Sequence, residues 1–323
     1  MDVYSELDAF PTPSHGTVLA IGNFDGVHRG HHRIVTHARA VAEADHVPVC
    51  VVTFEPHPLA VVAPSRAPER LVTLPEKLNL LRQLNVDACI ALRSEPKLLS
   101  MTADEFVRVI VERCRPVAIV EGPDFHFGRG RTGSVETLQH LAPQFGYSLH
   151  VIDTERCEEW PDAPDVRSSA IRAALRQGRV NVAETMLGRP YRIVGTVEPG
   201  DGRGASLGFP TANLGDIPHL LPANAVYATV AQLENDTLLP AAVNVGPQPT
   251  FNQDVARVEA HVIGYNDSLV GQAVGLHFVA CLRTQQRFEA IDELVHQLTR
   301  DVTETRSCTT HALTTLRDSM LPL

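Results

Sequence analysis

The feature that most constrains the fold is a regular alternation of apolar runs and helical segments, which stops near residues 187–190. Short apolar runs occur at residues 17–21, 49–53, 88–92, 117–120 and 148–152. Apolar residues spaced by three or four positions predict helices at residues 31–44, 74–84, 103–114, 135–145, 168–176 and 182–187. Strands that alternate with helices indicate an α/β domain with a parallel sheet covered on both faces.

The remainder of the chain has a different pattern. Residues 189–285 contain short β runs separated by glycine and proline, such as RIVGTV, VYATVAQL and VGLHFVACL. Helical periodicity returns at residues 290–298 and near residues 309–320. This pattern predicts a compact antiparallel β-barrel closed by C-terminal helices. We therefore expect two domains, residues 1–186 and residues 187–323.

The charge balance argues against a partner made of nucleic acid. Residues 1–186 contain 19 basic and 24 acidic side chains, and residues 187–323 contain 9 and 14. Neither half has the basic excess typical of a protein that binds a phosphate backbone. Lys77 and Lys97 are the only lysines, and neither follows a glycine-rich turn. The lysine-containing phosphate loop is therefore missing, and any nucleotide phosphates must be held in another way.

The sequence indicates a cytoplasmic protein. No stretch approaches the ~18 uncharged apolar residues that a membrane helix needs, so no membrane partner is expected. The first 25 residues contain no lysine or arginine, which argues against a secretory or transit peptide. The six cysteines are scattered without C-x-x-C spacing, as expected for buried thiols in a reducing compartment.

A glycine-containing turn, GNFDGVHRGHH, joins the first apolar run to the first predicted helix. Glycines permit a tight turn and the close approach of a ligand, and a helix N-terminus suits a phosphate. His28 and His31 are three residues apart and can donate hydrogen bonds to one anion. Such donors would stabilise the charge that develops in phosphoryl or nucleotidyl transfer. A pair of surface histidines is the alternative, and zinc is disfavoured because no third ligand is visible nearby.

Two further turns follow predicted strands, which is where ligands bind in open parallel sheets. Residues 53–58 have the sequence TFEPHP, and residues 122–128 have the sequence GPDFHFG. Their aromatic rings could stack on a planar ligand or fill the core. A third string, VRSSAIR at residues 166–172, opens a predicted helix.

The second half has its own glycine-rich segment, GDGRGASLGFPTAN, at residues 200–213. Thr211 and Asn213 are two residues apart, so their side chains share one face of an extended segment. A hydroxyl and an amide below a flexible backbone could hold Mg²⁺ and ATP phosphates without a lysine. Turns between barrel strands are the simpler explanation of the glycines.

Glu259 is the candidate general base of the second half. Val258, Ala260 and Val262 alternate with it and belong to the other face of the predicted strand. Phosphorylation of an alcohol requires removal of its proton, which a positioned carboxylate can accept. A solvated strand carboxylate is the alternative.

These strings, in this order, resemble the signatures of bacterial bifunctional riboflavin kinase/FAD synthetases. The H-x-G-H turn is similar to that of the nucleotidylyltransferase superfamily, and PTAN with the later string PTF at residues 249–251 is similar to riboflavin kinases. The resemblance implies a Rossmann-like nucleotidylyltransferase domain with a parallel sheet, followed by an antiparallel β-barrel riboflavin kinase domain with C-terminal helices. It also implies phosphorylation of riboflavin to FMN and adenylylation of FMN to FAD with release of pyrophosphate. ATP would be the co-substrate and Mg²⁺ the cofactor.

The resemblance also implies roles for individual residues. Catalytic roles are expected for Glu259, His28 and His31. ATP binding is expected of Gly22, Asn23, Phe24, His28, His31, Ser168, Arg172, Gly200, Gly202, Arg203, Gly208, Thr211 and Asn213. Flavin binding is expected of Phe54, Pro56, His57, Pro58, Asp124, Phe127 and Arg283. The expected metal ligands are Thr211 and Asn213.

The sequence departs from the family pattern at a few positions. At six positions this sequence has a residue of a different type from the one that the family usually has there: Arg167, Ser169, Ala225, Val270, Gln285 and Gln286. Two alternatives therefore stay open at this point: that only the riboflavin kinase half is active, and that the chain is a non-catalytic flavin-binding regulatory protein. The presence of His28, His31 and Glu259 argues against the second, because a pure binder has no need of a general base.

Overall fold

The computed structural model describes residues 1–158, 160, 165–200, 202–247 and 256–317, with the backbone only for Arg203 and Ala256. The chain forms two compact units. The first comprises Met1–Glu69 with Leu74–Arg156, and the second comprises Arg70–Thr73 with Cys157–Leu323. Residues 157–186, which we expected in the first domain, thus pack in the second unit. The assignment of one activity to residues 1–186 and the other to residues 187–323 stays a prediction.

The first unit contains eight strands and six α-helices, where five strands and four helices were predicted. The strands are β1 (Asp2–Tyr4), β2 (Thr17–Ile21), β3 (Val49–Glu55), β4 (Ala88–Arg93), β5 (Pro116–Glu121), β6 (His126–Phe127), β7 (Gly133–Ser134) and β8 (Ser148–Val151). The helices are α1 (Arg29–Asp45), α2 (Pro58–Val62), α3 (Leu74–Gln83), α4 (Pro96–Leu99), α5 (Ala103–Cys114) and α6 (Val135–Phe145). Short 3₁₀ turns lie at Leu7–Ala9, Pro64–Arg66 and Arg129–Arg131.

Six strands form one sheet in the order β1-β4-β3-β2-β5-β8, and every neighbouring pair is parallel. Strands β6 and β7 form a separate antiparallel pair. From β2 the chain first builds toward β3 and β4 and then returns to the other side with β5. Such a reversal opens a crevice at the carboxyl ends of the two central strands, here β2 and β5. The edge strand β1 was not predicted, because three residues are too short for a periodic signal.

Burial explains why the first-unit elements form. All five residues of β2 are buried, as expected for a central strand whose two faces are covered by helices. Helix α5 turns Phe106, Val107 and Ile110 into the core and starts at a capping box in which Thr102 and Glu105 bond each other's backbone N–H. This packing holds the carboxyl ends of β2, β3 and β5, beside the crevice, in fixed positions.

The second unit is a closed antiparallel barrel with helices. Its strands are β9 (Tyr191–Glu198), β10 (Ala212–Gly215), β11 (Ala225–Gln232), β12 (Leu238–Pro247), β13 (Ala256–Val262) and β14 (Ala273–Thr284). Its helices are α7 (Ser168–Arg176), α8 (Val180–Leu187), α9 (Arg203–Ser206) and α10 (Ile291–Arg317). The barrel closes in the order β10-β13-β12-β11-β14-β9. Valine, alanine and aromatic side chains at alternate strand positions form its core, and apolar residues of α7 and α8 belong to the same hydrophobic cluster.

The prediction of separate C-terminal helices is wrong: α10 runs without interruption from Ile291 to Arg317. The intervening stretch lacks an apolar stripe, because its buried face is polar and includes Asp301, Thr305 and Thr309. Threonine hydroxyls along the helix donate to carbonyls four residues back, as Thr309 does to Thr305 at 2.8 Å. Hydrophobic periodicity cannot detect a helix whose packed face is threonine and aspartate.

Within the described ranges, no helix combines the length and the apolar character required to cross a bilayer.

Candidate active sites

The turn after β2 presents two histidines at the start of α1. His28 is the N-cap residue, and its Nδ1 accepts a hydrogen bond from the His31 N–H at 3.4 Å. In return, His31 Nδ1 accepts from the His28 N–H at 3.2 Å, and the rings stack with centroids 3.6 Å apart. Because both Nδ1 atoms act as acceptors, each neutral ring carries its hydrogen on Nε2. The reciprocal cap therefore fixes both rings as Nε2–H donors, an arrangement the sequence did not reveal.

Two residues of the same turn have an unfavourable backbone conformation. Phe24 and Val27 have φ angles of 48° and 38°, in the left-handed region that non-glycine residues rarely adopt. Both side chains are buried, with exposures of 2% and 0%, so packing holds the turn in place. Among the described residues, Asn23 Oδ1 is a buried acceptor without a hydrogen-bond partner.

Two buried polar groups hold the turn from the strands on either side. On the β5 side, Glu121 Oε1 accepts from the Ile21 N–H at 2.7 Å, and burial raises the pKa of this carboxyl well above its usual range. On the β3 side, Thr53 Oγ1 donates to the Asn23 carbonyl at 3.1 Å, and Lys77 Nζ lies 3.2 Å from that hydroxyl. Sequence reasoning missed Glu121 and Lys77; the rarity of lysine was the one available signal for Lys77.

The expected flavin residues after β3 lie at the same edge of the sheet as this turn, because β2, β3 and β5 are adjacent and parallel. Phe54 is half-buried at the end of β3. The Pro56 carbonyl accepts from Ser94 Oγ at 2.6 Å, and His57 Nδ1 caps α2, with Pro58 as its first residue, by accepting from the Leu59 N–H at 3.1 Å. These contacts give the TFEPHP turn a defined shape.

The turn after β5 divides into exposed and buried parts. Asp124 is exposed, and its carbonyl lies 2.8 Å from His126 Nδ1. Phe127 is 6% exposed and stacks on Phe125 with centroids 5.2 Å apart, while Phe106 packs at 5.7 Å. Phe127 thus packs in the core, and the half-buried Phe125 is the more accessible ring of this turn.

Ser168 and Arg172 both lie on α7, in the second compact unit. Arg172 is 7% exposed, and Ser168 is the first residue of the helix. Arg167, the residue that departs from the family pattern, is exposed and forms an ion pair with Asp165 at 2.7 Å. Their expected role in binding ATP phosphates stays a prediction.

In the barrel unit, the glycine-rich loop lies directly over the expected metal ligands. A Cβ at Gly200 would stand 1.9 Å from Asn213 Nδ2, so only glycine permits this approach. A Cβ at Gly204 would stand 2.3 Å from the Phe209 carbonyl and 3.3 Å from Thr211 Oγ1. Gly202 and Gly208 have positive φ angles of 68° and 86°. The loop backbone therefore lies close to both Thr211 and Asn213, and their role as metal ligands stays a prediction.

Glu259 stands between two amide side chains on the outer face of the barrel. Its cross-strand partners are Asn213 on β10 and Asn244 on β12, and such partners share a face. Glu259 is half-buried, whereas its neighbours Val258 and Ala260 point into the barrel with exposures of 1% and 0%. The alternation predicted for this strand is confirmed.

Two contacts order the surroundings of this face. His261 Nδ1 lies 2.8 Å from the Pro210 carbonyl, next to Thr211, and packs edge-on against Phe209 at 5.5 Å. Gln285 Nε2 donates to Asn244 Oδ1 at 2.8 Å, so this departure from the family pattern lies beside the partner of Glu259. Within the part of the chain that is described, no cluster of three His, Cys, Asp or Glu side chains could hold a metal ion.

Arg283, expected to bind flavin, pairs with Asp301 of α10. Its Nε and Nη2 donate to the two carboxylate oxygens, Nη2 at 2.7 Å, and Gln297 donates to the same carboxylate. Asp301 is 2% exposed, so the pair ties β14 to α10. A contact with flavin stays a prediction. The Arg203 side chain and the string at residues 249–251 lie outside the described residues.

Comparisons with known proteins match a separate family model to each half of the chain. A family model described as FAD synthetase matches residues 11–160, and one described as riboflavin kinase matches residues 187–309. A protein of Escherichia coli strain K12 described as bifunctional riboflavin kinase/FMN adenylyltransferase is 35% identical over 290 residues, which are 90% of this chain and 91% of that protein. The chain belongs to the bifunctional riboflavin kinase/FMN adenylyltransferase family.

Further matches also cover most of the chain. The Bacillus subtilis strain 168 relative is 31% identical over 294 residues, 89% of this chain and 91% of that protein. A solved structure from Streptococcus pneumoniae, described as a macrolide-efflux protein, covers 94% of this chain and 98% of its own, with a TM-score of 0.83 and 27% identity. The family, the Rossmann-like parallel sheet and the antiparallel barrel, each expected from the sequence, are thus confirmed.

Proposed function

We propose that this chain catalyses two consecutive reactions, the phosphorylation of riboflavin by ATP to give FMN and ADP, and the transfer of AMP from a second ATP to FMN to give FAD and pyrophosphate. The observation that carries the proposal is the presence of both constellations in one chain: the doubly capped His28–His31 pair after β2, and Glu259 between Asn213 and Asn244 on the barrel. The two family models match the corresponding parts of the chain.

For adenylyl transfer, an FMN phosphate oxygen attacks the α-phosphorus of ATP, and the bond to pyrophosphate breaks. Negative charge develops on the phosphoryl oxygens, and the Nε2–H groups of His28 and His31 stabilise it. Gly22 and Phe24 lie where the nucleotide approaches the backbone. The buried acceptor Asn23 Oδ1 suits a hydroxyl or amino donor of ATP. Ser168 and Arg172, on α7 of the second unit, are also proposed to bind ATP phosphates.

For FMN synthesis, the terminal ribityl hydroxyl of riboflavin attacks the γ-phosphorus of ATP, and its proton passes to the Glu259 carboxylate. ADP is the leaving group. Glu259 suits this role because it stands on an accessible face beside Asn213 and Asn244, whose amides can orient it or the substrate. The loop containing Gly200, Gly202, Arg203 and Gly208 covers the phosphates with backbone N–H groups.

Thr211 and Asn213 provide a hydroxyl and an amide oxygen, which are ligands that Mg²⁺ accepts. The closeness of the Gly200 backbone to Asn213 supports this assignment, because phosphates held by the loop would lie beside both ligands. Bound Mg²⁺ would neutralise phosphate charge.

The flavin of FMN is proposed to lie against the turns after β3 and β5. Phe54 offers a half-buried ring, and Pro56, His57 and Pro58 form a rigid wall beside it. Asp124 offers an exposed carboxylate. Phe127 supports these groups from the core, and Arg283 supports the riboflavin side of the barrel through its pairing with Asp301.

A cytoplasmic location is also proposed. It is supported by the six free cysteines, four of which are buried, since unpaired thiols persist in a reducing compartment. The proposed binding partners are riboflavin, FMN, FAD and ATP.

One assay tests both activities. The protein is incubated with riboflavin, ATP and Mg²⁺, and in a second reaction with FMN, ATP and Mg²⁺, and the flavins are separated by chromatography. We expect FMN and FAD in the first reaction and FAD in the second. FMN alone would restrict the function to the kinase, and the absence of both products would refute the proposal.

A further inference from the structure

Lys77, one of only two lysines, is buried beneath the turn that precedes α1. It lies on α3, is 4% exposed, and its Nζ is 3.2 Å from Thr53 Oγ1. Thr53 is completely buried on β3, next to β2 in the sheet. Its hydroxyl in turn lies 3.1 Å from the carbonyl oxygen of Asn23. A chain of polar groups thus connects a helix side chain to the backbone of the turn.

The chemistry of the groups sets the direction of the hydrogen bonds. An ammonium group can only donate, so the Thr53 oxygen must accept from Lys77. The single hydroxyl hydrogen of Thr53 is then directed at the Asn23 carbonyl, which can only accept. Through Thr53, the positive charge therefore reaches the peptide group that joins Asn23 to Phe24.

This peptide group belongs to the turn assigned to ATP. A hydrogen bond to a carbonyl withdraws electrons from the amide and strengthens its N–H as a donor, and buried chains of such bonds reinforce one another. The N–H in question is that of Phe24, a residue held at a φ of 48°. Breaking the chain would both weaken this donor and release one constraint on the strained turn.

We propose that Lys77 is a positioning residue for adenylyl transfer, which acts through the Thr53 hydroxyl on the Asn23–Phe24 peptide at the nucleotide turn. Neither lysine follows a glycine-rich turn in the sequence, yet the fold brings Lys77 to the back of this turn by another route. The proposal rests on the proposed function, because its readout is FAD formation.

The bifunctional chain provides its own control. FAD formation from FMN and FMN formation from riboflavin are measured on the same preparations of the parent, Lys77→Met and Lys97→Met. Lys97 is exposed and has no link to the turn. We expect Lys77→Met to lower kcat/KM for ATP in FAD formation by about 10- to 100-fold, the effect of losing a charge-assisted hydrogen bond. KM for FMN and the rate of FMN formation should match those of Lys97→Met.

Variants of Thr53 separate positioning from simple packing. Thr53→Val keeps the shape but removes the hydroxyl, and should resemble Lys77→Met; Thr53→Ser keeps the hydroxyl and should stay within about threefold of the parent. Lys77→Met combined with Thr53→Val should be no worse than Thr53→Val alone, because both break one chain. If Lys77→Met is insoluble, the serine and valine variants decide the question.

Three results would overturn the proposal: Lys77→Met equal to Lys97→Met in FAD formation, Thr53→Ser as impaired as Thr53→Val, or independent, additive losses in the double variant. A parent protein that makes no FAD would instead refute the proposed function, so the two failures are distinguishable.

Discussion

The two candidate sites are positioned in different ways. At the edge of the parallel sheet, buried polar side chains hold the turn with the candidate catalytic groups, whereas on the outer face of the barrel strand register positions the candidate base. His28 and His31 are oriented by each other's backbone, and the turn before them is held by Glu121 and Thr53. Glu259, by contrast, is placed by its pairing with neighbouring strands.

This difference predicts different sensitivities. A polar network made of contacts from several strands fails when one buried member is removed, because the remaining members lose their partners. Where strand pairing positions the side chains, the site depends on the integrity of the barrel. A substitution of one side chain there should affect only that side chain's own contacts. The following experiments test this contrast, from the largest expected effect to the smallest.

The first prediction concerns the boundary of the barrel unit. Helices α7 and α8 contribute Ile171, Leu175, Val180 and Met186, all with exposures of 0%, to the same core as the barrel. At ~1.5–3 kcal/mol for each fully buried side chain, their removal would cost several kcal/mol. A fragment of residues 157–323 should therefore unfold at a clearly higher temperature than one of residues 187–323.

Thermal unfolding and FMN formation of the two fragments provide the measurement. If the shorter fragment is equally stable and active, the helices are dispensable and the boundary expected from the sequence is correct. A folded, soluble but inactive longer fragment would argue against an autonomous kinase.

The second prediction concerns Glu259→Gln, which keeps the size and most hydrogen bonds of the side chain but cannot accept the proton. Loss of general-base assistance costs ~10²–10⁴-fold in rate. FMN formation should fall by that order, with little change in the riboflavin dissociation constant and none in FAD formation from supplied FMN. Steady-state rates and a riboflavin titration on one preparation measure this. Weaker riboflavin binding with an unchanged kcat would make Glu259 a binding residue.

The third prediction concerns His31→Ala. This change removes one Nε2–H donor, the acceptor for the His28 N–H and the ring that stacks on His28, although the backbone N–H that bonds to His28 Nδ1 remains. FAD formation should fall by ~10²–10³-fold, as for loss of a donor that stabilises the transition state. FMN formation should be retained, and His32→Ala, the next residue of α1, serves as the matched control. FAD formation at the parental rate would show that the pair is not catalytic.

The fourth and smallest effect is a pH dependence of stability at Glu121. Burial raises the pKa of this carboxyl in the folded chain, so the native state keeps a proton that the unfolded chain releases above its ordinary carboxyl pKa. Its contribution to stability is fully present at low pH and declines as the pH rises through the raised pKa. Glu121→Gln removes this decline.

The free energy of unfolding in urea, measured at pH 5 and pH 8, tests the sign. Relative to the parent, Glu121→Gln should be more stable at pH 8 than at pH 5, while Glu112→Gln on the exposed surface of α5 should show no such trend. A pH-independent difference for Glu121→Gln would mean that the native carboxyl does not hold its proton.

Local pattern was sufficient for most of the architecture. Apolar runs and helical spacing predicted β2, β3 and α5 because such periodicity directly reflects which face of an element is buried. The alternation around Glu259 likewise predicted which face of β13 it occupies, because side chains on a strand alternate by geometry alone.

Features that depend on contacts between distant segments were not accessible in this way. Ile21 and Glu121 are 100 residues apart, and Thr53 and Lys77 are 24 apart, on different elements. Nothing in the spacing of either pair signals a hydrogen bond, because it forms only when neighbouring strands and a covering helix are assembled. The same is true of the polar face of α10, whose burial is decided by the barrel beside it.

The sequence by itself therefore determined the family and the two fold types, since these follow from motifs and local periodicity. Only the tertiary structure decided which nitrogen of His28 and His31 carries the hydrogen, which unit holds α7 and α8, and what supports the nucleotide turn from behind. The physical reason is that hydrogen-bond direction and burial are properties of assembled neighbours, and one chain segment does not specify its neighbours.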